Sequence, residues 1–309
     1  MSRPETPDRQ ELERRLDDVP ALSGSPRTIE QLSGGLTNVN LKVSTPSGVF
    51  VARCFGGDEG LLGIDREAEH HNSRAAAEAG VGAPVVDFRP DLGMLVIGYI
   101  DGATYDNSSF AGDGVIARVA DACRRLHAGP RFVNDFDMFA RQRGYLRVVR
   151  ERGFALPDGY ERYDGDFQQV RRVLEDHADP SMPCNNDLLA GNFVDDDDRL
   201  WLIDYEYSGN NDPCFELGNI TTECELDDDQ TEGLVTAYFG RRSRRDLARV
   251  RLQALTAQYG WSLWGAIQAA TSSLDFDFAQ WCAERFDKAA AGFSSPGFRL
   301  LLEEASRED

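Results

Sequence analysis

The chain has 309 residues, of which 41% are hydrophobic and 28% are charged, enough for one large domain or two lobes. Its formal net charge of −20 disfavours nucleic acids and anionic membranes as partners and favours small cations. The sequence shows no apolar run of 18 residues, no signal-peptide core and no CxxC pair among its six cysteines. We therefore expect a cytoplasmic protein with free thiols.

In chain order, the predicted elements form a β-rich first part and a helical second part. Residues 8–18 favour a short helix, and alternating β-branched residues on both sides of Pro46 predict a hairpin. A helix over 64–80 and a strand pair over 83–100 follow. From residue 103, apolar spacings of three and four predict helices near 114–129, 136–152, 166–177, 231–239, 246–270 and 276–291.

This order predicts an α+β fold with three segments. Residues 1–98 would form an N-terminal lobe, residues 99–102 a hinge, and residues 103–309 a helical C-terminal lobe. The stretch CNNDLLAGNFVDDDDRLWLIDYEYSG, residues 184–209, interrupts the helical part. Its segments NFV and RLWLI predict two strands joined by an acidic turn at 195–198.

That hairpin would bring Asp187, which precedes the first strand, close to Asp204, which follows the second. Together with Asn192, these residues suit phosphoryl transfer. One carboxylate accepts the proton of the attacking hydroxyl, while an amide and a second carboxylate hold Mg²⁺ on the nucleotide phosphates. The D-x-x-x-x-N spacing alone favours a helix cap or turn, but the strands and the Asp that follow favour a catalytic site.

The segments SGGLTNVN (33–40), NNDLLAGNF (185–193) and LIDYEYSGNNDPCFELGN (202–219) resemble the choline/ethanolamine kinases, a branch of the aminoglycoside-phosphotransferase-like kinases. The resemblance extends from about residue 30 to residue 290. It implies a protein-kinase-like fold of two lobes that uses ATP and Mg²⁺. Asp187 would be the catalytic base, with Asn192 and Asp204 as metal ligands. Glu206 would be a further metal-site carboxylate, or else a plain surface residue.

The resemblance also implies a nucleotide site in the first lobe. Its residues would be Gly34, Gly35, Thr37 and Asn38 of a phosphate-covering loop, the pair Arg53 and Glu67, and the hinge residues Tyr99 and Ile100. Glycines let backbone N–H groups approach phosphate, although a glycine pair is also common in hairpins. Arg53 would grip phosphate bidentately. Its partner on the following helix would be Glu67, with Glu69 as the second choice.

One residue departs from the family pattern. Asn185 stands where the family usually has His, directly before the Asn-Asp pair. Asn can both donate and accept hydrogen bonds, so we expect activity to survive. The alternative is a nucleotide-binding pseudokinase. Glu216 in FELGN is expected to brace the catalytic loop.

The acceptor site is predicted in the helical part. Trp261 and Trp264 share one helix face, and three of the four tryptophans lie between residues 261 and 281. Core packing explains most helical aromatic residues, but aromatic faces also attract a quaternary ammonium. The resemblance implies choline contacts at Tyr207, Glu223, Trp261, Trp264, Phe276 and Trp281. We predict phosphorylation of choline; the alternatives are phosphorylation of ethanolamine, another amino alcohol or an aminoglycoside.

Overall fold

The computed structural model describes residues 9–23, 26–32, 35, 37–55, 59–176 and 178–307. Its strands are β1 (Thr28–Gln31), β2 (Val39–Thr45), β3 (Gly48–Cys54), β4 (Val85–Arg89), β5 (Met94–Gly98), β6 (Ala103–Thr104), β7 (Met182–Cys184), β8 (Phe193–Asp195), β9 (Leu200–Leu202) and β10 (Gly209–Asn211). Its α-helices are α1 (Arg9–Asp17), α2 (Glu59–Leu62), α3 (Arg66–Glu78), α4 (Val115–His127), α5 (Met138–Arg152), α6 (Asp164–Asp176), α7 (Pro213–Glu223), α8 (Asp228–Phe239), α9 (Arg244–Thr271), α10 (Phe278–Phe293) and α11 (Phe298–Ala305).

The first part is an antiparallel sheet in the order β1-β2-β3-β5-β4. The predicted hairpin is β2–β3, and the predicted strand pair is β4–β5. Leu41 and Val43 alternate with less buried residues along β2 and face a core that also contains Leu16 of α1. This sheet fixes the position of Arg53 near the end of β3.

Helix α3 begins at a clear cap, because the Asp65 side chain accepts a hydrogen bond from the Ala68 N–H at 3.1 Å. Its buried face includes Glu69, Asn72 and Ala76, at helical spacings of three and four. Glu67 lies on the exposed side of the same helix. The helix therefore presents Glu69, and not Glu67, to the interior.

The second part packs around α9, a helix of 28 residues and about 42 Å. Helix α7 lies against it so closely that a Cβ on Gly218 would be 2.7 Å from the Ala254 nitrogen. The sequence prediction missed α7, although Asp212 and Pro213 are a normal start signal. Its residues 213–221 are all buried, so no amphipathic period marks the helix.

Two short strand pairs shape the stretch 184–209. As predicted, β8 and β9 form an antiparallel hairpin, with Phe193 opposite Leu202. The pairing of β10 with β7 was not predicted; it places Gly209 opposite Cys184. Together these pairs hold residues 185–187 beside residues 203–207. None of the described helices has the length and apolar character that a bilayer-spanning segment needs.

Candidate active site

Glu216 of α7 anchors the loop that leads to Asp187. Its carboxylate is fully buried and accepts hydrogen bonds from the backbone N–H groups of Asn185, at 2.8 Å, and Asn186, at 2.6 Å. Such charge-assisted bonds are strong and directional. A brace of this kind was expected at Glu216, and the fold brings the residue there from 30 positions downstream.

Asn185 joins the loop that carries Asp187 to the segment after β9 that carries Asp204. Its Nδ2 donates to the Ile203 carbonyl at 3.1 Å and the Asp204 carbonyl at 2.8 Å, and its Oδ1 accepts the Asp187 N–H at 3.1 Å. The amide therefore uses both its donor and its acceptor at a fully buried position. A bidirectional side chain is what this position requires, and Asn supplies it in place of His.

Two non-glycine residues of the site adopt left-handed backbone conformations. Asn186 has φ 68° and Asp204 has φ 64°, a region that costs most L-residues energy and favours Asn and Asp. The Asn186 Nδ2 lies 3.2 Å from the Gly209 carbonyl, and its Oδ1 accepts from Asn211 at 2.8 Å. The surrounding hydrogen bonds therefore stabilise the turn that orients Asp187.

Asn192 and Asp204 provide a donor set that fits Mg²⁺. The Asn192 Nδ2 donates to the Asp187 carbonyl at 2.8 Å, and no described residue donates a hydrogen bond to its Oδ1. The Asp204 carboxylate is partly exposed. An amide oxygen and a carboxylate are hard ligands of the kind that Mg²⁺ binds together with phosphate oxygens.

Glu206 is not a surface residue, because only 4% of its side chain is exposed. It accepts hydrogen bonds from the Thr37 hydroxyl at 2.6 Å and the Asn38 amide at 2.7 Å, and it lies 3.3 Å from an Arg66 nitrogen. Burial and the nearby Asp204 carboxylate raise its pKa to about 7. Glu206 thus ties the loop of Thr37 and Asn38, predicted to cover phosphate, to the segment after β9 that carries Asp204.

The structure describes only one of the two glycines that were predicted in the phosphate-covering loop. Gly34 lies outside the described residues. Gly35 has φ 92°, a conformation that excludes most side chains. The side chains of this loop make bonds to distant residues: Thr37 and Asn38 donate to Glu206, and the Asn38 Oδ1 accepts from the Arg66 guanidinium at 2.9 Å.

Arg53 is buried and points into this acidic cluster. Its guanidinium lies 2.7 Å from Asp204, 3.4 Å from Glu69 and 3.7 Å from Glu206. The prediction of Glu67 as its helix partner was wrong, because Glu67 is on the exposed face of α3 and Glu69 is on the face turned towards β3. Three carboxylates around one guanidinium keep Arg53 charged and fixed in position.

The predicted hinge follows β5 directly. The Tyr99 N–H donates to the Val49 carbonyl at 3.1 Å, so it is not free for a ligand. We predict that Tyr99 and Ile100 offer backbone groups to adenine, and at Tyr99 this group would be the carbonyl, because the N–H is already bonded. Lys42 lies 3.9 Å over the Tyr99 ring and holds that side chain by a cation–π contact.

Asp187 is half-buried in a strongly charged environment. Desolvation, together with the carboxylates of Asp204 and Glu206, raises its pKa well above the ordinary value. Glu223 acts in the same direction, and the Arg285 guanidinium opposes it. A carboxyl shifted in this way is better matched to proton acceptance near neutral pH than an ordinary Asp.

The predicted aromatic residues form one array, and its Tyr207 lies within electrostatic reach of Asp187. The Trp264 Nε1 donates to the Tyr207 hydroxyl at 2.8 Å, and the Trp264 ring lies 5.2 Å from Trp281. Trp261 lies 5.1 Å from the Tyr207 ring. Phe276 is 43% exposed, and its ring contacts Phe278, so it lies at the outer end of the array.

Two arginines that contact this array were not among the predicted site residues. Arg285 pairs with Glu223 at 2.5 Å and lies 3.4 Å over the Trp281 ring. Arg141 lies 5.3 Å over the Tyr207 ring and donates to the Leu62 carbonyl. The spacing of four between Trp281 and Arg285 on α10 was a usable signal for one of them. Arg141 is distant in sequence from Tyr207 and Leu62, and only the fold places it beside them.

Comparison with known proteins agrees with this geometry. A family model described as choline/ethanolamine kinase matches residues 29–238, a region that contains Arg53, Asp187 and Asp204. The solved structure of a choline/ethanolamine kinase family protein from Mesorhizobium loti has a TM-score of 0.84 and 33% identity, and covers 96% of this chain and 98% of that one.

Two curated relatives are more distant. Protein LicA of Haemophilus influenzae is 26% identical in an alignment of 283 positions, gaps included, that covers 87% of this chain and 79% of LicA. Ethanolamine kinase 1 of Homo sapiens is 24% identical in an alignment of 303 positions, gaps included, that covers 84% of this chain and 66% of that protein. These identities are too low to separate one amino-alcohol substrate from the other.

Proposed function

Because this chain belongs to the choline/ethanolamine kinase family, whose members phosphorylate alcohol hydroxyls, we propose that it transfers the γ-phosphoryl group of ATP to the hydroxyl of choline. The chain is an alcohol phosphotransferase with a kinase fold. The observation that supports the proposed reaction best is the fixed loop that presents Asp187 beside Asn192 and Asp204.

In the proposed reaction, the acceptor hydroxyl lies against the Asp187 carboxylate, which takes its proton. The freed oxygen forms a bond to the γ-phosphorus as the bond to the bridging oxygen of ADP breaks. Arg53 would balance phosphate charge. Asn192 and Asp204 would hold Mg²⁺, which when bound neutralises charge on the transferring phosphate.

Choline is the first candidate because Tyr207, Trp264 and Trp281 form a connected aromatic array, through the Trp264–Tyr207 hydrogen bond and the contact of the two indole rings. A quaternary ammonium gains from aromatic faces and makes no conventional hydrogen bonds. Ethanolamine is the second candidate, because the Glu223 Oε1 is buried and has no hydrogen-bond partner among the described residues. A primary ammonium could donate to that oxygen.

The test is an ADP-release assay with ATP and Mg²⁺ and one acceptor at a time: choline, ethanolamine, kanamycin or none. We expect choline-dependent turnover that exceeds turnover with kanamycin. Asp187→Asn keeps the shape of the side chain and removes the base, so kcat should fall by about 10²- to 10⁴-fold. ATP binding without turnover for any acceptor would contradict the proposal and support a pseudokinase.

A further inference from the structure

Arg285 places a cation of the protein itself inside the aromatic array. Its guanidinium carbon is 3.4 Å from the centroid of the Trp281 ring, one helical turn earlier on α10. Its Nη2 is 2.5 Å from the Glu223 Oε2 of α7. Only 14% of the Arg285 side chain and 8% of the Glu223 side chain are exposed. The face of Trp281 is therefore already engaged by a cation.

The same pair has unfilled hydrogen-bonding capacity. The Glu223 Oε1 and the Arg285 Nε are both buried, and neither has a hydrogen-bond partner among the described residues. Buried polar atoms in folded proteins are nearly always satisfied, and an unsatisfied carboxylate oxygen is costly. An orphaned acceptor on a side chain that is more than nine-tenths buried indicates a ligand that brings an N–H or O–H donor.

The pair lies at the acceptor side of the site. The charges of Glu223 and Arg285 both act on the Asp187 carboxyl, so they are within electrostatic reach of the base. Trp281 also contacts Trp264, whose indole bonds to the Tyr207 hydroxyl. Gly265 leaves room for the contact of Trp281 with Trp264, because a Cβ on Gly265 would lie 2.8 Å from the Trp281 ring.

We propose that Arg285 determines selectivity between quaternary and N–H-bearing ammonium acceptors, an inference that rests on the proposed function. Arg285 stacks on Trp281 and holds the Oε2 of Glu223. It therefore occupies an aromatic face that a trimethylammonium group could otherwise contact. It leaves Oε1 of Glu223 for an ammonium N–H. The guanidinium therefore weakens the preference for choline over ethanolamine that the aromatic array would otherwise impose.

The test compares kcat/KM for choline and for ethanolamine in the wild-type chain and in Arg285→Met. Met has similar length and no charge, so the Trp281 face becomes free. We expect the choline-to-ethanolamine ratio to rise about tenfold, the size of one cation–π contact, mainly through a lower KM for choline. Arg285→Lys keeps a cation and should stay near the wild-type ratio. Arg299→Met breaks the exposed Arg299–Glu303 pair and is the matched control.

Equal losses for both acceptors in Arg285→Met would show a purely structural role and overturn the inference. If that variant does not fold, Glu223→Gln serves instead, since it keeps the shape and removes the charge. It should raise the KM for ethanolamine more than the KM for choline, and equal effects on the two would overturn the inference. Wild-type protein that turns over neither acceptor would instead refute the proposed function itself, before any variant is needed.

Discussion

At the scale of single residues, the loop before Asp187 depends on amide side chains that both donate and accept hydrogen bonds. Asn185 is the clearest case, because it joins the backbone of Asp187 to the carbonyls of Ile203 and Asp204. The departure from the family His is therefore a substitution that keeps both a donor and an acceptor. This argues against the pseudokinase alternative at the position that suggested it.

Asn185→Ala should lower kcat roughly ten- to hundredfold with little change in the KM for the acceptor. The reason is that buried carbonyls and the Asp187 N–H lose their partner, and such losses cost about 1–3 kcal/mol. Steady-state kinetics would measure the change. Asn185→His should retain most activity, and Asn107→Ala, at an exposed position, is the control. A wild-type kcat in Asn185→Ala would show that the loop needs no such brace.

At the scale of elements, α7 and α9 carry both the Glu216 brace and residues predicted to contact the acceptor. Glu216 and Glu223 lie on α7, while Trp261 and Trp264 lie on α9. The two helices approach closely at Gly218, where backbone atoms of α9 leave no room for a side chain. The spacing between these helices therefore determines how far the loop that carries Asp187, which Glu216 holds, lies from the aromatic array on α9.

Gly218→Ala should destabilise the protein by about 1–3 kcal/mol, because the added Cβ would overlap the Val250 carbonyl and the Ala254 nitrogen. Thermal unfolding would show a lower Tm. Gly165→Ala on α6 is the matched control, since nothing lies within 4 Å of its Cβ position. That change should be neutral or stabilise by up to about 1 kcal/mol. Equal Tm values for the two variants would refute the close-packing argument.

At the scale of the whole molecule, Glu206 links the N-terminal sheet to the catalytic stretch. It bonds to Thr37 and Asn38 across 168 or more positions of sequence and contacts Arg53 and Arg66. This carboxylate is buried, and its pKa is raised from 4.5 to about 7. The folded state therefore binds its proton more tightly than the unfolded state does.

The sign of the pH effect follows from that difference. Between about pH 4.5 and 7 the folded state holds more protons at Glu206, so this group makes unfolding free energy fall as pH rises. Asp187 contributes in the same direction. In Glu206→Gln, the unfolding free energy should fall less steeply as the pH rises from 5 to 7. Urea unfolding of the nucleotide-free protein at several pH values would measure this dependence. The same pH dependence of the unfolding free energy in variant and wild type would contradict the raised pKa of Glu206.

Local signals in the sequence determined much of the fold. Alternation and turn residues gave the β2–β3 and β8–β9 hairpins, and helical periodicity gave the long helices, because amphipathic patterns and turn chemistry are local properties. Motif spacing identified Asp187, Asn192 and Asp204 as neighbours, since a hairpin of known length joins them. Helix α7, buried on all sides, had no such pattern.

Tertiary structure alone decided which charges meet. The sequence led to the choice of Glu67 over Glu69, which was wrong, because both lie in one helical turn and only the packing of α3 shows which of them faces Arg53. It could not show that Glu206 is bound by Thr37 and Asn38, or that Arg285 pairs with Glu223. These pairings depend on the relative placement of distant elements, which local sequence patterns do not encode.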